Sequence, residues 1–130
     1  MIFLALAALA TQPVIRPAPQ ETEIVVTARR LKNWRGKASV SRRGSRCRTI
    51  QSTGEAGLDQ IACDSLRYCM IRLTPEMSAA SDLKLSKAVR EERLTSLNRQ
   101  LEDCGAEQHR VRVTDWVERR AAARSNNAQD

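Results

Sequence analysis

Residues 58–73 read LDQIACDSLRYCMIRL, and this stretch decides the fold of the 130-residue chain. Its apolar residues recur at steps of three and four, the spacing that places side chains on one stripe of an α-helix. The stripe consists of Leu58, Ala62, Leu66, Cys69 and Leu73. The sequence therefore predicts a helix that begins near Thr53 or Gly54. Thr74 and Pro75 are predicted to end it, because proline disfavours a helical residue before it and lacks the N–H that a helix needs.

Two more helices are predicted after this one. The second covers residues 82 or 86 to 103, with charged residues on one face and Gly105 as its C-terminal stop. Its apolar face consists of Leu94, Leu97, Leu101 and Cys104. The third helix is predicted around Val113, Trp116, Val117 and Ala121. A polar tail, residues 125–130, follows it.

A β-hairpin is predicted ahead of the helices, over residues 37–51 with its turn at Gly44. Aromatic residues make up only 3% of the chain, so Trp34, Tyr68 and Trp116 are expected to anchor the core. The predicted fold is α+β and mainly α: a small hairpin followed by two or three packed helices, tied by two disulfides.

The N-terminal residues predict export. Residues 1–10, MIFLALAALA, form an uncharged apolar block that ends in a small-x-small pattern, which is typical of a signal peptide cleaved after Ala10. The block is too short for a transmembrane helix, which needs about 20 apolar residues. We expect residues 11–30 to be a flexible, proline-rich tether and residues 31–124 to be a single disulfide-bonded domain.

The four cysteines, Cys47, Cys63, Cys69 and Cys104, are an even number in a small exported chain, which predicts two disulfides. The close pairing of cysteines typical of a four-thiolate zinc site is absent. Cys63 and Cys69 cannot pair on one helix, because six residues separate their Cα atoms by about 9 Å of rise, more than the roughly 4.4–6.8 Å of a disulfide. Cys47 with Cys63 and Cys69 with Cys104 is the favoured pairing, and the crossed pairing stays open.

No catalytic motif is present. The sequence contains no HExxH, GxGxxG or GxxxxGK[ST], and His109, the single histidine, is predicted to lie on the surface. We therefore predict that the protein is not an enzyme and needs no cofactor or metal. A catalytic site assembled from scattered residues is the alternative.

Positive charge is concentrated in residues 29–48. The chain has 22 basic and 15 acidic residues, and this segment holds nine of the basic ones and no acid. The nine are Arg29, Arg30, Lys32, Arg35, Lys37, Arg42, Arg43, Arg46 and Arg48. Such a segment suits the phosphate groups of lipopolysaccharide or phospholipid, and export disfavours nucleic acid as a partner. A solvated face that keeps the chain soluble is the alternative interpretation.

A short β-branched run, EIVVTA, occupies residues 23–28. It comprises Glu23, Ile24, Val25, Val26, Thr27 and Ala28. The run resembles the TonB box of TonB-dependent outer-membrane receptors, and the rest of the chain is similar to small exported four-cysteine proteins of Gram-negative bacteria. The resemblance implies a periplasmic protein whose extended segment adds as a strand to the periplasmic domain of TonB.

The resemblance does not extend to transport. Receptors of that family continue into a plug and a barrel of about 22 strands, whereas about 100 residues with helical periodicity follow the run here. The sequence thus predicts a small periplasmic interaction or structural protein. The alternatives to docking are that residues 23–28 form a strand of the domain's own sheet or a spacer.

Overall fold

The computed structural model of the chain describes residues 19–129, with the side chains of residues 21–129. The elements are α1 (Pro19–Leu31), β1 (Arg35–Ser41), β2 (Gly44–Gln51), α2 (Ala56–Ala80) and α3 (Lys87–Asn127). The predicted signal peptide and the first part of the predicted tether lie outside the described residues. The predicted fold class is confirmed, with one helix before the hairpin and two after it.

The hairpin is antiparallel and turns through Arg42 and Arg43. Gly44 has a φ of +119°, whereas neither arginine has a positive φ, so the glycine takes the backbone conformation that closes the turn. The Ser41 hydroxyl accepts a hydrogen bond from the Arg43 amide at 3.2 Å. The turn lies one or two residues from the predicted position, and Gly44 is its essential residue.

Helices α2 and α3 pack along each other and form two hydrophobic clusters. The first contains Leu31, Leu58, Ile61, Ala62, Val113 and Val117, with Ile24, Trp34 and Trp116 packed against it. The second contains Leu73, Ala80 and Leu97, with Leu101 packed against it. Because the start of α2 meets the end of α3 in the first cluster and the reverse holds in the second, the two helices run antiparallel.

The predicted disulfide pairing is confirmed. Cys47 of β2 joins Cys63 of α2, with their Cα atoms 5.6 Å apart, and Cys69 of α2 joins Cys104 of α3 at 5.9 Å. One bond ties the hairpin to the helices, and the other staples the helix pair between its two hydrophobic clusters. No cysteine remains free.

Residues 23–28 are helical, so the prediction of an extended strand within a flexible tether is wrong for residues 19–30. Ile24, Thr27 and Leu31 recur at steps of three and four and face the helix pair, with Thr27 and Leu31 buried and Ile24 against the first cluster. Glu23 also forms an ion pair with Arg124 at 2.9 Å. These tertiary contacts outweigh the strand preference of β-branched residues.

Pro75 does not end α2, contrary to the prediction, and the helix continues to Ala80. Proline removes one backbone hydrogen bond inside a helix. The Thr74 hydroxyl donates to the Met70 carbonyl at 2.8 Å, and Leu73 and Ala80 are both buried against α3. Packing on both sides of the proline therefore keeps the helix intact.

Gly105 does not end a helix either, and the predicted second and third helices are one helix of 41 residues. It begins at Lys87, with Ser86 as the N-cap whose hydroxyl accepts a hydrogen bond from the Val89 amide, and it extends into the predicted polar tail as far as Asn127. An interior glycine costs about 1 kcal/mol relative to alanine. The disulfide at Cys104 and the burial of Leu97 and Val113 on either side hold the helix continuous.

Two of the three predicted aromatic anchors are confirmed: Trp34 and Trp116 are half-buried against the first cluster. Tyr68 is 43% exposed, so its predicted core role is wrong. Among the helices of residues 19–129, none combines the length and the apolar character needed to cross a membrane.

Candidate functional site

The hairpin has two different faces because side chains alternate along each strand. Gly36, Ala38, Val40, Cys47 and Thr49 are half-buried on the face that lies against α2. The opposite face carries longer polar side chains and points to solvent. The sequence therefore sorts small residues inward and cations outward within one short sheet.

All six cations of the hairpin are exposed, and together they define what we call the cationic hairpin. They are Arg35, Lys37, Arg42, Arg43, Arg46 and Arg48. Within the described residues, none of the six forms an ion pair with an acidic side chain. Six unpaired charges on one small sheet create a local positive potential that attracts anions.

The strand register brings cations together. Lys37 lies directly opposite Arg48, and Arg46 lies opposite Ser39. Opposed like charges destabilise a strand pair, which makes this arrangement unfavourable for the hairpin by itself. A bound anion would relieve that repulsion.

A polar cleft of about 320 Å³ lies at the turn end of the hairpin. Its lining consists of Ser39, Ser41, Arg43, Gly44, Ser45 and Arg46. Hydroxyl groups and guanidinium groups are the side chains that recognise phosphate oxygens, the guanidinium by paired N–H donors. The chemistry of this cleft suits a phosphate group better than an apolar ligand.

Three contacts hold the hairpin in place. The disulfide from Cys47 anchors β2 to α2, and Arg67 of α2 donates from Nε to the Ser45 hydroxyl at 3.0 Å. Trp34 Nε1 donates to Thr49 Oγ1 at 3.0 Å. These contacts reach the hairpin from its inner face, so its cationic face is presented on a fixed support.

The other three cations of residues 29–48 lie on α1 or directly after it, outside the two strands of the hairpin. Arg30 is paired with Glu55 at 3.0 Å, and Glu55 also accepts from Arg120 at 2.8 Å. This carboxylate thereby links α1, the start of α2 and the end of α3. Arg29 and Lys32 are exposed. The structure therefore divides the predicted anion-binding set into six hairpin cations, one structural arginine and two separate charges.

The side chains of the TonB-box-like run are divided between core and solvent. Thr27 is 5% exposed and Ile24 packs on the first cluster, whereas Val25 and Val26 are 51% and 49% exposed. The backbone of the run is used in helical hydrogen bonds. Addition of this run to a partner sheet would therefore require α1 to unfold.

His109 is half-buried rather than a surface residue, which corrects the prediction from sequence. It lines a crevice between α1 and α3, and burial lowers the pKa of its imidazole, which favours the neutral ring. The side chains of residues 21–129 contain no group of three His, Cys, Asp or Glu residues arranged to hold a metal ion.

Sequence reasoning found the cations but missed the serines and Arg67 that complete and support the cleft. The alternation of residues along β1 and β2 was the available signal, since period-two spacing puts Ser39, Ser41 and Arg46 near one another once the register is known. Arg67 lies 22 residues from Ser45 in the sequence, and no sequence pattern indicated that the two side chains are in contact.

Comparisons with protein-family models, with curated proteins and with solved structures found no match to this chain.

Proposed function

We propose that the protein binds phosphate-bearing lipids of the bacterial envelope, phospholipid or lipopolysaccharide, through the cationic hairpin. The observation that carries this proposal is the set of six exposed hairpin cations without an acidic partner in the described structure. The export predicted from residues 1–10 would bring the protein to that surface, in the periplasm. In this proposal the protein is an interaction module and not an enzyme.

Physical chemistry supports a lipid surface as the target. Each basic residue near an anionic bilayer contributes about 1 kcal/mol of attraction, so six of them together favour binding by several kcal/mol. Ile50 is 57% exposed and shares the outward face with the cations. A cationic face with an exposed aliphatic side chain is typical of proteins that lie on the membrane interface.

The test is co-sedimentation of the protein with vesicles of phosphatidylglycerol and phosphatidylcholine, compared with vesicles of phosphatidylcholine alone. We expect binding to the anionic vesicles only, with affinity that falls steeply between low and high salt because the attraction is screened. Replacement of Arg42, Arg43 and Arg46 by Glu is expected to lower the affinity about a hundredfold or more, given about 1 kcal/mol for each lost cation.

A matched control changes the net charge equally at a different place. Lys84, Arg93 and Arg99 are exposed residues before and within the first half of α3, and their replacement by Glu leaves the hairpin untouched. This control is expected to retain most of the vesicle affinity. Equal losses in the two triple variants would show that net charge alone governs binding, and the hairpin would then have no specific role.

Docking of residues 23–28 to the periplasmic domain of TonB is the second candidate function, and we propose it as an exchange of helix for strand. One observation favours it: Val25 and Val26 are half-exposed. Both are β-branched residues of low helix propensity, and their partial burial adds little packing energy to stabilise α1. A helix of 13 residues is marginal in isolation. Loss of a few tertiary contacts would free the run for strand addition.

The docking test uses two changes. One frees residues 23–28 from the helix pair, and the other prevents them from forming backbone hydrogen bonds with a strand of the TonB domain. Leu31→Ala weakens the anchor of α1 outside the run, and it is expected to raise the affinity for the TonB periplasmic domain. The additional change Val25→Pro removes a backbone N–H and is expected to abolish that binding. If the double variant bound as tightly as Leu31→Ala, strand addition would not be the mode of docking.

A further inference from the structure

A crevice of about 500 Å³ lies between α1 and α3, apart from the cationic hairpin. Its apolar wall consists of Ile24, Ala28, Leu31, Gly105, Ala106 and Val113. Among the described residues no Phe, Tyr or Trp lines it, and its apolar wall is aliphatic, so the crevice is suited to an aliphatic ligand rather than to a stacked ring. Its volume is within the range of about 300–1,000 Å³ that small-molecule sites have.

Gly105 is one of the residues of α3 that line the crevice. A Cβ atom built on it would meet no atom of the described residues within 4 Å, so neighbouring side chains do not require a glycine there. Glycine inside a helix is nevertheless unfavourable compared with alanine. The space beside Gly105 is therefore open, and a ligand could lie against the backbone of α3 there.

The polar groups of the crevice differ in whether they are available to pair with the head group of a ligand. Arg110 is engaged by Glu107 through two hydrogen bonds, of 3.1 and 2.6 Å. His109 presents a ring whose pKa is lowered by burial. Lys32 has no ion pair within the described residues, and Glu102 is the acid on the wall. One available cation beside an aliphatic cavity is complementary to a single negative head group on an acyl chain.

We propose that the α1/α3 crevice binds a medium-chain fatty acid of about 12 carbons, with the chain along Gly105 and Ala106 and the carboxylate at Lys32. This site lies on other elements than the cationic hairpin and takes a free carboxylate rather than a phosphate surface. Its ligand would bridge α1 and α3, and occupation is expected to hold α1 on the helix pair by linkage.

The test is calorimetric titration of the full chain with dodecanoate, below the concentration at which it forms micelles, and with dodecanol. We expect the wild-type protein to bind dodecanoate more tightly. Gly105→Leu places a side chain in the crevice and is expected to lower dodecanoate affinity at least about tenfold, since the chain and the leucine cannot share the space. Ala122→Leu, on an exposed position of α3, is the control and is expected to leave the affinity within about twofold.

A second pair of measurements assigns the head group. Lys32→Gln is expected to lower dodecanoate affinity about fivefold, the scale of one exposed ion pair, and to leave dodecanol binding unchanged. If Gly105→Leu disturbs the helix by circular dichroism, Gly105→Ala serves in its place and is expected to lower dodecanoate affinity about fourfold, the scale of about one buried methylene group of the ligand displaced by the methyl. No binding of dodecanoate to the wild type, or equal binding to Gly105→Leu and wild type, would overturn the site. An unchanged preference for dodecanoate in Lys32→Gln would overturn the assignment of the carboxylate.

Discussion

Lys37 faces Arg48 directly across the hairpin, and neither residue has an acidic partner among the described side chains. The pair places two positive charges where neighbouring side chains are closest, which opposes folding of the hairpin. Retention of such a pair is understandable if the same charges serve binding. Stability and anion binding are therefore expected to respond in opposite directions to a change at position 37.

The first prediction concerns Lys37→Glu. This change replaces the repulsion between Lys37 and Arg48 by a cross-strand ion pair. We expect the free energy of unfolding to rise by about 0.2–1 kcal/mol, measured by urea denaturation. Affinity for anionic vesicles is expected to fall in the same variant. Lys37→Gln, which removes the repulsion without adding attraction, should lie between the wild type and Lys37→Glu in both measurements. A loss of stability in Lys37→Glu would contradict the opposition of charges inferred from the register.

The second prediction compares the two disulfides. Replacement of Cys69 and Cys104 by Ala opens a closure of 35 residues, and replacement of Cys47 and Cys63 opens one of 16. By loop-closure entropy, we expect losses of about 4 and about 3 kcal/mol in the free energy of unfolding. Replacement of Cys47 and Cys63 should in addition weaken vesicle binding, because the hairpin loses its covalent anchor to α2. Losses below about 1 kcal/mol in both variants would show that packing alone holds the fold.

Much of this architecture follows from local sequence signals. The stripe from Leu58 to Leu73 lies on one helix, and geometry on that helix excluded the pairing of Cys63 with Cys69. Gly44 marked the hairpin turn because the backbone there needs a positive φ. These features depend on residues close together in the chain, where periodicity and conformational preference are directly readable.

The features that sequence did not predict depend on distant contacts. Ile24 and Thr27 prefer strands, but α1 is helical because its inner face packs on the helix pair. Pro75 and Gly105 are ordinary helix stops that lie inside helices stabilised by burial on both sides. The opposition of Lys37 and Arg48 required the strand register, which the sequence did not supply.

Gly36→Ala is the third prediction, and it concerns the support of the hairpin. A Cβ at position 36 would overlap Cη2 and Cζ2 of Trp34, so the indole ring has to move. Its hydrogen bond to Thr49 Oγ1 would be lost with that movement. We expect a loss of about 1–3 kcal/mol in the free energy of unfolding and an altered tryptophan fluorescence spectrum.

Gly105→Ala is the control for this prediction, since a Cβ there meets no described atom within 4 Å. It is expected to stabilise the protein by up to about 1 kcal/mol through the higher helix propensity of alanine. If Gly36→Ala were as well tolerated as Gly105→Ala, the ring of Trp34 would not lie against the strand as described.

The fourth prediction concerns acid and Asp59, near the start of α2. Asp59 accepts hydrogen bonds from the Thr53 amide and hydroxyl, both at 2.8 Å, and from the Ser52 hydroxyl. Burial acts to raise the pKa of Asp59, but the hydrogen bonds from Ser52 and Thr53 together lower it below its usual value. Because the folded pKa lies below the unfolded one, the carboxylate stabilises the fold above the unfolded value of about 3.9.

That stabilisation is lost as the pH falls through the folded pKa, so Asp59→Asn should matter at neutral pH and not in strong acid. At pH 7 we expect the variant to lose about 1 kcal/mol of unfolding free energy, the scale of one net hydrogen bond. Its melting temperature should converge on that of the wild type as the pH is lowered below about 4. Thr53→Val, which removes one donor, should retain a smaller part of the same pH dependence. A melting-temperature difference between Asp59→Asn and wild type that stayed constant from pH 7 to pH 2 would show that the carboxylate charge has no part in stabilising this end of α2.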